Sequence, residues 1–315
     1  CNGRFHNISL TVKSIFAHAK VYRDKLRAYA TLIKALVAQY KLQDATDMGF
    51  GVLSQLGVQR QSSLPDTSAV LRDLMALKSS LENLSDADLL NSREMVDSDM
   101  VAAMSFLQPL LFCNFLSNRE EFLTIVFHML DLTLKYGICE ESCCCLSTLS
   151  VVLCHMKDYD ASERIGQLAI LLLEKFQSRK YISFVHCCVF GCIRGWNGHI
   201  KMSIEPLLSG YQIGMQTGDI QMAMFNAYLY LADNFNSGQL HLAAFKKHLK
   251  VFGEQMVEYK QMVFHHLLRP IEQVVSNLFF SAGEPLLLIG RDKEQECILN
   301  KAIEHNNSYL AAQMF

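Results

Sequence analysis

Proline is scarce in this sequence, five in 315 residues, and only 19% of the residues are charged while half are apolar. That composition excludes disorder as the general state of the chain. An excess of either charge is also missing. The 29 Lys and Arg against 31 Asp and Glu leave a formal net charge of −2, so neither nucleic acid nor a membrane surface is expected as a partner. No uncharged apolar run reaches the ~20 residues of a membrane-spanning helix, the longest being Cys143 to Met156 and Tyr181 to Ile193. No basic leader with an apolar stretch follows Cys1. The chain therefore reads as soluble and cytoplasmic, and as a fragment of something longer. Catalytic signatures are absent as well: there is no G-x-x-x-x-G-K-[ST], glycine-rich kinase loop, H-R-D, D-F-G or G-x-S-x-G. Neither a catalytic residue nor a bound cofactor is expected within it.

Cysteine, by contrast, is abundant at eleven residues. ICEESCCCLSTLSVVLCHM (Ile138–Met156) holds five of them and VHCCVFGC (Val185–Cys192) three more. The spacing does not resemble a small secreted disulfide scaffold. A zinc site would combine Cys139 and Cys143, one helical turn apart, with Cys187, Cys188 or His186. Against it, adjacent helical residues point about 100° apart, so Cys143, Cys144 and Cys145 cannot converge on one ion. There is also no C-x-x-C pair. The favoured reading is cysteine as a small apolar packing residue, so no metal site is assigned.

Helical periodicity covers nearly every segment, without a convincing alternating strand. Leu26, Ala30, Ile33, Val37 and Tyr40 mark one apolar stripe, and Ala45, Met48, Val52, Leu53 and Leu56 the next, which makes an αα-hairpin. Turn signals at Asn118, Asp158, Gly198 and Gly238 are 40 residues apart. A second set at Gly137, Ser178 and Gly218 falls between them, spaced 41 and 40. Each period thus holds two helices and two short turns. The expected fold is all-α: a TPR-like α-solenoid of antiparallel helix pairs with a repeat of about 40 residues. Its expected parts are an N-terminal helical region over 1–56, an exposed loop over 57–70, and a continuing solenoid over 71–315 that is cut at its C-terminal end. Within Leu71–Leu90 two short helices are expected, with Ser85 as N-cap of DADLL.

The run MVAAMSFLQPLLFCNFLSNREEFLTIVFHMLDLTLKYGICEESCCCLSTLSVVLCHMKDYDASERIGQLAILLLEKF resembles the helical region of large "predicted ATPase" signalling proteins. GWNGHIKMSIEPLLSGYQIGMQTGDIQMAMFNAYLYLADNFNSGQL, the helices of Arg27–Leu56 and the later EPLLLIG are similar to the same family in collinear order. The resemblance implies an upstream STAND-type AAA+ ATPase, often preceded by a protein kinase domain and followed by GAF, histidine-kinase or cyclase domains. It makes this chain the regulatory helical region, with ATP bound only by the linked ATPase. The family places small residues where the cysteines stand. A free-standing TPR-like scaffold and a zinc- or thiol-dependent module remain as alternatives.

As first helix of a solenoid pair, the helix after Asp219 would turn Asn226, Tyr230 and Asn234 toward the concave face, at i, i+4 and i+8. There they would hold a protein or peptide ligand. Asp219 reads as that helix's N-cap and Trp196 as a staple between repeats, with Gly198 permitting the turn. His155 and the pair His265–His266 read as ordinary core or surface histidines. Lys246, Lys247 and Lys250 read as a solvated helix face.

Overall fold

Where the apolar spacing is helical the chain is helical. In the computed structural model, which describes residues 5–39, 41–59, 67–116 and 121–279, no strand forms among the described residues beyond one isolated bridge. The chain divides into two compact units, Cys1–Leu149 with Leu168–Gln177, and Ser150–Gln167 with Ser178–Phe315.

The first unit begins with α1 (Phe5–His18), α2 (Tyr22–Ala38) and α3 (Leu42–Gln55), each packed on the next. Ile33, Ala45, Val52, Leu53 and Leu56 are buried as the stripes require, with Leu26, Ala30, Val37 and Met48 half-buried. The structure corrects the loop of residues 57–70 at both ends. Val58 is buried and its N–H bonds Leu53 O at 2.9 Å, while α4 (Thr67–Glu82) already starts at Thr67. Apolar Val70, Leu74 and Leu81 carry the α4 pattern back past the polar stretch that suggested a loop. Residues 60–66 lie outside the described residues.

Ser85 caps α5 (Asp86–Leu90) in a capping box, its hydroxyl accepting from the Asp88 N–H at 3.1 Å while the Asp88 carboxylate accepts from the Ser85 N–H. We expect Ser85→Ala to cost about 1 kcal/mol in a urea melt, the usual value of an N-cap. Thr is expected to restore most of it.

Helix α6 (Ser98–Leu116) packs on α3 and on α7 (Glu121–Tyr136). A Cβ on Gly49 of α3 would stand 2.7 Å from Leu110 Cδ1, so α3 and α6 approach more closely than a side chain there would allow. Beside that crossing, buried Asn114 donates to Leu110 O at 2.9 Å and to Thr46 Oγ1 at 3.3 Å. On the surface Arg23 Nη2 meets Asp99 Oδ1 at 2.8 Å. Between α7 and α8 (Ser142–His155), Gly137 lets the chain fold back on Arg93 to form the Glu94–Ile138 bridge.

The second unit takes up the end of α8 and the start of α9 (Tyr159–Lys175), then a 3₁₀ turn (Arg179–Tyr181) and α10 (Ile182–His186). A π-helical segment (Cys187–Ile193) and α11 (Arg194–Asn197) continue the same rod. Then follow α12 (Lys201–Thr217), α13 (Ile220–Ser237), α14 (Leu242–Glu258) and α15 (Met262–Phe279). The α12–α13 loop is two residues: Gly218 at φ +80° closes α12, and the Asp219 carboxylate caps α13 by accepting from Met222 N. So short a loop forces the two helices to pack antiparallel. The expected turns at Gly137, Asp158, Ser178, Gly198, Gly218 and Gly238 each stand between helices, whereas Asn118 lies outside the described residues.

Candidate functional site

Along α8 every residue from Ser142 to Cys154 is buried, so the helix has no solvent face for a reactive thiol row. Cys143 Sγ donates to Glu140 O at 2.9 Å and Cys145 Sγ to Val126 O at 3.9 Å. Ser142 Oγ lies 3.0 Å from Thr133 Oγ1 and accepts from Cys139 N at 3.1 Å. These thiols therefore spend their weak donor capacity on nearby carbonyls and otherwise fill space. Burial, and then the Glu141 charge, pushes the Cys139 thiol up to about 12, and burial also raises Cys145.

In the second unit, Val151, Cys154 and Ile193 form a small buried cluster with half-buried Cys188 and Cys192 against it. The π register turns residues five apart onto one side, and the Cys187 and Cys192 thiols hydrogen-bond each other there. That bond draws the Cys192 thiol below its ordinary value, while burial pushes Cys187 up. Cys139 and Cys143 belong to the first unit and Cys187 and Cys188 to the second. Among the described residues no group of three or more His, Cys, Asp and Glu is placed to hold a metal ion.

Reactivity should follow these environments, because the thiolate is the nucleophile. Iodoacetamide at pH 7.5, mapped by mass spectrometry, is expected to modify Cys192 first among the described thiols. Cys139 and Cys145 should react at least about a hundredfold more slowly. In urea the differences should collapse, and equal native rates would show that packing does not protect them.

The groove stripe is corrected by its burial. Asn226 is 0% exposed, Asn234 2% and Tyr230 5%. Asn226 Nδ2 donates to Met222 O and Ser183 O, each at 2.8 Å, and lies 3.2 Å from Ser183 Oγ. Asn234 Nδ2 donates to Tyr230 O at 2.8 Å, and the Tyr230 hydroxyl meets His248 Nδ1 at 3.1 Å. The reason is that α13 packs against α10, the π segment, α12, α14 and α15, so that every residue from Met222 to Leu231 is buried. Gly210 and Gly214 let α12 approach closely: Cβ atoms on them would stand 2.5 Å from Asn226 Oδ1 and 2.9 Å from Ala223 Cβ. The stripe is an internal seam and presents no ligand face.

Elsewhere, His155 is exposed and its Nδ1 lies 2.9 Å from Val151 O. His265 and His266 are half-buried, and burial lowers the His265 pKa. Trp196 falls in α11, but its side chain lies outside the described residues. Lys246, Lys247 and Lys250 are exposed as expected, with Lys246 Nζ 4.5 Å above the Phe279 ring. The charged side chain overlooked in the sequence is Asp233, between Tyr230 and Asn234 on α13, which reaches a cleft beside α15. Its signal was an acidic residue near the end of a helix otherwise free of charge after its cap.

These features define an all-helical protein of mutually packed helices, none of which, among the described residues, is long and apolar enough to cross a membrane. No family model, curated protein or solved structure matches the chain.

Proposed function

We propose that the chain is a non-catalytic, TPR-like regulatory region of a cytoplasmic multidomain signalling ATPase or kinase. The observation that carries this reading is the even run of helices, 14 to 18 residues long in α7, α8, α9, α12, α13, α14 and α15, joined at turns about 40 residues apart in alternate order. Helix pairs of constant length stack into superhelices that present an extended concave face to a protein or peptide. The family resemblance supplies the linked ATPase and kinase, which alone would bind ATP. Partner binding would shift the packing between successive pairs and so bias the linked catalytic module, with an effect limited to the partner's difference in affinity for the two states. The groove residues are not Asn226, Tyr230 and Asn234, whose polar groups are used inside the second unit.

Reading the parent gene upstream of Cys1 tests this directly: a P-loop ATPase module is expected there. Its absence would leave the free-standing scaffold as the better account. With the module present, ATP hydrolysis by the full-length parent should change when the helical region is deleted.

A further inference from the structure

We propose that the cleft between α13 and α15 is a binding site for a small amphipathic organic cation, a primary amine carried on an apolar or aromatic body. This goes beyond the regulatory reading and does not depend on the linked domains. The cleft has a volume of about 360 Å³, near the lower end of the range for small-molecule pockets. Tyr228 and Phe235 of α13 and Pro270, Ile271 and Val274 of α15 supply aromatic and apolar surface, Asn236 adds an amide, and Asp233 is the only charged residue among the described residues that line it.

Two local features belong to the walls of the cleft. Gly191 lets α13 approach the π segment, since a Cβ there would stand 2.4 Å from Leu229 Cδ1. Pro270 of α15 puts its apolar ring into the opposite wall. Arg269, the cation next to Pro270, lies toward Glu272 with Nε to Oε2 at 4.0 Å.

No described residue gives Asp233 a hydrogen bond or an ion pair, and the group facing it electrostatically is the Cys192 thiol. A partly buried carboxyl without a counter-ion is costly to ionise. Burial accordingly raises Asp233 to about 7. An ammonium group would supply the missing charge and donors, while its apolar body would cover Phe235 and Ile271. Anionic ligands are repelled by the same carboxylate. One carboxylate beside the Asn236 amide also supplies fewer oxygen ligands than the roughly six to eight that a hard cation such as calcium takes.

The test uses the intact chain at pH 8, with phenethylamine and the neutral isostere 2-phenylethanol as probes in calorimetry and in ¹H–¹⁵N NMR titration. The amine is expected to bind at least tenfold more tightly than the alcohol, with shifts centred on the α13 and α15 amides. In Asp233→Asn the difference should fall below twofold, whereas Asp233→Glu should keep it. Equal affinity of the two probes, no binding of either, or an undiminished preference in Asp233→Asn would each overturn the proposal. If Asp233→Asn does not fold, the wild-type comparison of the two probes still decides the matter. Because neither probe touches ATP hydrolysis by a linked domain, failure here is distinct from failure of the regulatory reading.

Discussion

Gly137→Ala is expected to be the most damaging methyl group that could be added to the first unit. Gly137 sits at φ +110°, where a side chain is strained, and its Cβ would stand 2.2 Å from the Arg93 carbonyl oxygen. That oxygen belongs to the backbone, so relief requires the 93–95 strand of chain to move away. The movement would break Ile138 N to Arg93 O at 2.9 Å and Met95 N to Ile138 O at 2.8 Å, and would loosen Arg93 Nη2 to Lys135 O at 2.6 Å. Strain of about 1–3 kcal/mol and two hydrogen bonds at about 1 kcal/mol each sum to about 3–5 kcal/mol. That is a large part of the about 5–15 kcal/mol that holds a typical domain together. The measurement is a urea melt, in which the midpoint should fall without a change of slope.

The control is Gly51→Ala in α3, where φ is ordinary and nothing lies within 4 Å of the added Cβ. It should stabilise by up to about 1 kcal/mol, because alanine is the better helix former. If the two variants melt alike, the Arg93–Gly137 contact does not hold the unit together.

Gly137 was legible in the sequence as a turn, and so were Gly218, Gly238 and the Ser85 cap, because their signals are local. Chain reversal and capping are decided by one or two residues whose conformational or hydrogen-bonding character is written in their type. Burial is decided by everything that packs around a helix, and there the sequence misled. Asn226, Tyr230 and Asn234 share a face, which suggested an exposed stripe. The contrary signal was the company they keep: MAMFNAYLYL (Met222–Leu231) is apolar on all sides, as expected of a helix buried all round. ESCCCLSTLSVVLC carries the same pattern, which is why its thiols are enclosed. The π register over Cys187–Ile193 has no comparable signature, since nothing in CCVFGCI distinguishes a turn of five from a turn of four. Asp233 is hard to read from the sequence for a related reason. Its importance lies in a wall supplied by α15, some 40 residues further along the chain.

Asn226→Asp should be the corresponding lesion of the second unit, although it exchanges one NH₂ for an oxygen with almost no change of shape. The Asn226 amide joins α13 to α10 through Ser183 O, while its Oδ1 faces Gly210 of α12 and has no donor among the described residues. After the exchange, an acceptor replaces the donor opposite the Met222 and Ser183 carbonyl oxygens in a site with no solvent exposure. An ionised carboxyl cannot be tolerated there uncompensated, and the expected loss at pH 8 is about 3–5 kcal/mol. Burial and the facing carbonyls would raise the folded-state pKa of the new carboxyl above its unfolded value. The folded state would then hold the proton more tightly, so its penalty should be smallest at low pH and grow as pH rises through the raised pKa. The loss measured at pH 5 should therefore be clearly smaller than at pH 8. Asn236→Asp, at an exposed position in the last turn of the same helix and three residues from Asp233, should cost no more than about 1 kcal/mol at either pH. If Asn226→Asp melted like wild type at pH 8, the three-helix seam would tolerate a charge, and α13 could not be the buried centre of its unit.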